Sequence, residues 1–384
     1  MRILFDYQAF EMQSFGGVSR SYAELISHMQ EDGVPCKVGL KESDNAYIKL
    51  PNLKPLHHTH NKFFGGKKWF KGQRTLTRKI MQATGHKNDC LKINQEYCIK
   101  LLKQQQFDVF EPTFFDPYFL PYLNGKPFVL TVHDMIPELF PQYFPSDDFQ
   151  IVNKKLLCPL AAAIHVPSHK TKDDLIKILN INPEKIYVIP HGASQITIPE
   201  TEVTRPIDNP YLLFVGERRG YKNYNALLHE MAILIQSIPE LNLLCTGRQF
   251  DEEEKKLISD LGLTNHISHC FANDDNFYSL YHHAVAFVYP SAYEGFGLPI
   301  LEAFSCGCPV LLNNASCFPE IGGDAAIYFD IDRRCDLAEH IKAFLQESEQ
   351  DKANLITRGR ERAKLFSWKE SARNLTKVYQ TILA

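Results

Sequence analysis

PSAYEGFGLPILEAFSCGCPV, from Pro290 to Val310, packs a strand end, a glycine-containing loop and a helix start into one short stretch. Apolar residues run up to Tyr289, Glu294, Gly295, Phe296 and Gly297 form the loop, and a helix begins near Pro299. Proline suits a first helical position because its missing N–H would be an orphan there. The glycines let backbone come close to a ligand, and the free N–H groups and dipole of a helix start favour an anion such as phosphate. Glu302 follows Pro299 by one turn on the same helix face, about 4.5 Å further along the axis. Strand, glycine loop and helix in that order form half of a βαβ unit.

Units of this kind recur along the chain. The first half offers RILFD (from Arg2), VPCKVGL (Val34), FDVFEPT (Phe107), PFVLTVHD (Pro127), AAIHVPS (Ala162) and KIYVIPHG (Lys185). The second offers YLLFVGE (Tyr211), LNLLCTG (Leu241), ISHCFAN (Ile267), VAFVYPS (Val285), CPVLLNN (Cys308) and AAIYFD (Ala325). Short apolar runs alternating with helical patterns describe parallel sheets. Six strands in each half predict an α/β protein with two doubly wound, Rossmann-like domains, not a barrel of eight units. A proline-bearing segment with Pro199, Pro206 and Pro210 marks the boundary. The expected organisation is residues 1–194, a linker at 195–209, a second domain at 210–367, and an amphipathic helix at 368–384 that packs back on the first domain. A ligand is expected where the carboxyl ends of the two sheets face each other across a cleft.

The 384 residues are 44 % hydrophobic and 23 % charged, ordinary values that exclude disordered and fibrous classes. Ten irregularly spaced cysteines without a C-x-x-C pair read as reduced thiols of a cytoplasmic protein. No apolar run reaches the ~18 residues of a membrane span, and MRILFDYQAF is too short for a signal-peptide core. The net charge of −3 conceals an asymmetry: Asn45 to Asn88 holds ten Lys or Arg and no acid, leaving −13 on the rest. Phe63, Phe64, Trp69 and Phe70 interleave with these cations, a composition suited to peripheral contact with an anionic membrane face. It equally describes a solvated loop. The acidic remainder and the lack of a recognition motif argue against nucleic acid.

Glu294 and Glu302 flank the expected anion site, although both repel phosphate. They make sense as acceptors for sugar hydroxyls, since an ionised carboxylate only accepts hydrogen bonds. A ligand with a sugar on each side of phosphate is a nucleotide diphosphate sugar, with Glu302 on the ribose and Glu294 on the sugar to be transferred. The plainer alternative has Glu302 complementing the helix dipole and Glu294 as a loop acid.

EGFGLPILEA, with its glutamates eight positions apart, resembles the E-x7-E element of the family-4 retaining glycosyltransferases. The similarity is dense from Tyr211 to Phe329 and continues through FVGERRGYKN, LCTG, LYHHA, CFPEIGGDAA and FSW (Phe366–Trp368). In the first half FGGVSR (Phe15) and TVHD (Thr131) carry it. The resemblance implies a GT-B fold and transfer of a sugar, with retained configuration, from a nucleotide diphosphate donor to a glycan or lipid-linked acceptor in cell-surface polysaccharide synthesis. It implies catalytic roles for His133, Arg218, Lys222 and Glu294, with Arg218 and Lys222 on the leaving diphosphate and Arg219 able to share the arginine role. Donor binding falls to Gly16, Gly17, Phe296, Gly297, Leu298 and Glu302. Fixed cations stabilise a departing diphosphate without a metal, so neither metal nor cofactor is expected.

Asp330 and Asp332 match the D-x-D pattern of metal-dependent transferases, a short match read here as a loop. His57, His58 and His60 lack a neighbouring acid or cysteine and are likewise not taken as ligands. Both glutamates arise from one loop–helix unit, which disfavours a glycosidase acid/base pair. A sugar-nucleotide epimerase of the same fold and a silent partner subunit are the alternatives. The intact set of charged residues argues against silence.

Overall fold

A computed structural model describes residues 1–12, 15–49, 89–193, 196, 204–218, 220–272 and 276–384. Most of the basic stretch 45–88, part of the linker 195–209, and Arg219 lie outside these residues.

In the first domain β1 (Ile3–Phe5) pairs with β2 (Cys36–Val38) and β3 (Val109–Glu111), all parallel. A second parallel trio follows, β4 (Val129–Thr131), β5 (Ala163–Val166) and β6 (Ile186–Val188). A parallel bridge between Phe110 and Phe128 joins the two trios, so the strands run 2-1-3-4-5-6. In the second domain β7 (Tyr211–Phe214), β8 (Asn242–Cys245), β9 (Ile267–His269), β10 (Ala286–Tyr289), β11 (Val310–Asn313) and β12 (Ile327–Phe329) form one sheet, ordered 12-11-10-7-8-9. Counted within the domain, this is the doubly wound order 3-2-1-4-5-6. All twelve strands lie where the apolar runs placed them.

Strands covered by helices on both faces read as continuous apolar runs without alternation. Accordingly all four residues of β5, β7, β8, β10 and β11 are buried. Two apolar clusters fill the two faces of the second sheet. The core of the first domain includes Trp368, Ala372, Leu375, Val378 and Tyr379 from the C-terminal helix Trp368–Leu383. That helix returns to pack on helix Gly17–Glu31. Its Tyr379 hydroxyl donates to the buried Glu111 at the end of β3, and Arg373 meets Asp32 at 2.8 Å.

The chain crosses between domains twice, after β6 and at Phe366–Trp368, and the crossings touch. Ala193 N–H donates to the Phe366 carbonyl at 2.9 Å. A Cβ on Gly192 would stand 2.1 Å from the Trp368 nitrogen, so only glycine fits there.

Candidate functional site

At the switch point of the second sheet β7 and β10 are neighbours whose loops diverge. The β7 loop delivers Lys222 and the β10 loop delivers Glu294, 72 residues apart in sequence, and the Lys222 ammonium donates to Glu294 Oε1. Both side chains are largely buried, 15 % and 11 % exposed. Burial works against the Lys222 charge, but the Glu294 carboxylate, together with Tyr221 and Asp134, raises the lysine pKa on balance. The lysine also stands over the rings of Tyr221 and Tyr289, 5.4 and 5.7 Å from their centroids. Asn223, a potential helix cap, instead donates its side-chain N–H to the Pro290 carbonyl at 3.0 Å, tying the two loops together.

Gly297 caps the helix Leu298–Ser305 in the left-handed region, φ 96°, a conformation that favours glycine. Pro299 occupies the second helical position, one later than its sequence signature implies. Glu302 is buried on this helix. Its Oε2 accepts from the Tyr281 hydroxyl at 3.0 Å, and its Oε1 accepts from Arg20 of the first domain at 2.6 Å. Phe296 turns its ring inward against His191 and Phe366, with centroids 5.0 and 5.8 Å away. Any donor contact at Phe296 therefore falls to its backbone.

The two domains meet tightly around this loop. Ser168 caps helix His169–Leu179 by accepting from Thr171 N–H, and its hydroxyl donates to the Gly295 carbonyl at 2.7 Å. Tyr293 donates to Asp174 at 2.8 Å, and His169 N–H to Glu320 at 3.0 Å. Leu298 packs against the first domain's core, and a Cβ on Gly17 would lie 3.7 Å from its Cδ1. Gly16 and Gly17, which cap and open helix Gly17–Glu31, therefore face the start of helix Leu298–Ser305.

His133 follows β4 at the carboxyl edge, with its carbonyl against Gly295. Its Nε2 is buried without a hydrogen-bond partner. Burial, with smaller contributions from His165 and Lys154, brings its pKa down to about 3, so the ring is neutral at physiological pH. An unpartnered polar nitrogen at a cleft edge is a group that a ligand can satisfy.

The side chain of Arg218 is fully buried, and its guanidinium is bonded within its own domain. Nε donates to Glu254 at 2.9 Å, Nη1 to the Thr246 carbonyl at 3.0 Å, and Nη2 to the carbonyls of Arg248 and Gln249. The ring of Phe250 lies 4.7 Å from its guanidinium carbon. With these bonds Arg218 braces the loops after β7 and β8, and of the two expected cations Lys222 is the one bonded to Glu294.

Asp330 and Asp332 sit in a turn, where Asp330 Oδ1 accepts from Asp332 N–H at 3.0 Å. Among the described residues no group of three or more His, Cys, Asp or Glu is arranged to hold a metal. No helix among them is long and apolar enough to cross a membrane.

Arg20 and Tyr281 join the site without a mark of their own in the sequence: they lie inside FGGVSR and LYHHA, but nothing local ties either one to Glu302.

Comparison with known proteins agrees with this architecture. Residues 199–362 match the sequence model of Glycosyl transferases group 1, and residues 15–194 match Glycosyltransferase Family 4. The O-antigen chain mannosyltransferase B of Escherichia coli is 29 % identical over 279 residues, covering 69 % of this chain and 73 % of the relative. The O-antigen chain mannosyltransferase RfbU of Salmonella typhimurium is 26 % identical over 216 residues, covering 56 % of this chain and 59 % of the relative. Among solved structures, sucrose-phosphate synthase of Thermosynechococcus elongatus superposes with a TM-score of 0.71 at 18 % identity over 99 % of this chain and 98 % of that one. Anabaena HepE, solved in complex with UDP and glucose, superposes with a TM-score of 0.70 at 18 % identity, covering 99 % of this chain and all of that one. Two family matches that between them run from Phe15 to Arg362, on a fold shared with these structures, place the chain among the family-4 glycosyltransferases of GT-B fold.

Proposed function

We propose that this glycosyltransferase moves a hexose from a nucleotide diphosphate donor to a growing cell-surface polysaccharide, with retention of configuration and without a metal. The O-antigen mannosyltransferases among its relatives favour mannose as the sugar. The observation that carries the reading is the Lys222–Glu294 pair beside the helix start at Gly297. A cation, a helix N-terminus and a carboxylate acceptor converge where a diphosphate joins a sugar.

In this reading the helix start and Lys222 receive the diphosphate, and Lys222 takes up the negative charge that grows on the leaving oxygen. Once the diphosphate draws Lys222, Glu294 is released to accept from hydroxyls of the transferred sugar. Glu302 accepts from the ribose. Neutral His133 orients the sugar from the opposite wall. The acceptor hydroxyl attacks from the face the diphosphate leaves, passing its proton to the departing phosphate oxygen.

A thermal-shift panel of GDP-mannose, UDP-glucose and ADP-glucose, followed by NMR of the product anomer, tests this. Stabilisation by GDP-mannose and an α-linked product are expected. Preference for another donor would replace mannose, and inversion would end the retaining mechanism. Conversion of donor alone to an isomeric sugar nucleotide would establish an epimerase instead.

A further inference from the structure

Arg20 belongs to the first domain, yet its guanidinium lies across the cleft on the glutamate assigned to the ribose. Nη1 meets Glu302 Oε1 at 2.6 Å, with the two side chains 18 % and 9 % exposed. Tyr281 holds the other carboxylate oxygen. Ribose hydroxyls arriving at Glu302 therefore meet a carboxylate with a charged donor already bonded to one oxygen and a hydroxyl to the other.

An arginine cannot shed its proton, and a buried charge parted from its partner is strongly destabilising. Glu24, one turn along the same helix, also acts on the Arg20 charge, and a ligand that takes Glu302 favours a further anion in its place. The diphosphate of a sugar nucleotide is such an anion, and Arg20 is well placed for it. It stands in the first turn of helix Gly17–Glu31, whose Gly17 lies against Leu298 at the start of the anion-binding helix.

We infer that Arg20 is a phosphate-dependent latch. It ties the first domain to Glu302 in the empty site and passes to the donor diphosphate when the ribose takes Glu302. The inference rests on the donor-site reading of Glu302. Its consequence is selectivity: a nucleoside weakens the ion pair without replacing it, whereas a nucleoside diphosphate supplies a new anion as it takes the old one. By reciprocity, phosphate and ribose bind with positive coupling through Arg20.

Calorimetry on the full chain tests the latch with uridine, guanosine, adenosine, cytidine and thymidine, each as nucleoside and as 5′-diphosphate, using the base that binds the wild type. Arg20→Gln should weaken the diphosphate tenfold or more and tighten the nucleoside threefold or more. Equal changes for both ligands, or none, would overturn the latch. In the unmodified protein inorganic pyrophosphate should tighten nucleoside binding at least threefold, and absence of that coupling would also overturn it, whether or not the variant folds. Glu302→Gln separates the two claims, since it should weaken both ligands. If it weakens neither, or if no base binds the wild type, the donor-site reading fails and the latch with it.

Discussion

Gly295→Ala adds one methyl group at the closest approach of the two domains. The backbone of Gly295 lies outside the left-handed region, so alanine can adopt its conformation and space alone is at issue. A Cβ there would stand 1.8 Å from the His133 carbonyl oxygen, 2.9 Å from its carbon and 3.1 Å from Asp134 Cβ. Such contacts essentially never fall below 3.0 Å, and the obstacle is backbone at the end of β4, so the domains must part by at least about 1.2 Å. A misplacement of ~1 Å at a reacting centre can cost about a hundredfold in rate, roughly 2.7 kcal/mol of barrier. Steady-state release of nucleoside diphosphate, with donor and acceptor present, should show kcat down by that factor. Nucleoside diphosphate affinity should fall less than kcat, since Glu302 and the anion-binding helix belong to the second domain and only the groups at the start of helix Gly17–Glu31, Arg20 among them, reach the diphosphate from the first. Gly220→Ala is the control: its Cβ would meet the Tyr143 ring at 2.1 Å, the far end of a half-exposed side chain that can swing aside. Transfer by Gly295→Ala within twofold of wild type would refute domain closure at this contact as a requirement for catalysis.

Lys222→Ala should lower kcat roughly a hundredfold, the scale of one lost transition-state donor, while wild-type turnover persists in excess EDTA. Activity lost in EDTA and restored by magnesium or manganese would return attention to Asp330 and Asp332. Glu302→Ala should weaken nucleoside diphosphate binding by about 1–3 kcal/mol, and Glu294→Ala should lower turnover with that affinity nearly unchanged. Matching effects of both variants on both measurements would dissolve the division of roles. His133 titrates at about 3 in the folded protein because burial disfavours its charge, against ~6.5 when unfolded. Below pH 6.5 the unfolded chain therefore binds a proton that the native state does not, and stability falls as pH drops toward 3. Urea unfolding at pH 7 and pH 5 should show a loss about 1–2 kcal/mol smaller in His133→Phe than in wild type, and identical losses would contradict a buried neutral ring.

The sequence by itself determined the features that depend on near neighbours. Twelve apolar runs specified twelve strands, most plainly the central ones, because a strand buried on both faces needs only its own residues to be apolar. The glycine loop and Pro299 announced a helix start, and the eight-residue spacing of Glu294 and Glu302 put one acid in the loop and the other on the helix. The pairing of charges was decided elsewhere. Lys222 meets Glu294 because β7 and β10 are neighbours at a topological switch, a placement unmarked in either loop. Arg20 meets Glu302 across 282 residues because the two domains face each other. Arg218 stands four positions before Lys222 and looks equivalent to it in a linear reading. Yet a buried guanidinium goes to the carboxylate and carbonyls that surround it, and Glu254 with the carbonyls of residues 246, 248 and 249 surrounds this one. A charge declares itself in the sequence, but its partner is chosen by the packing that removes it from water.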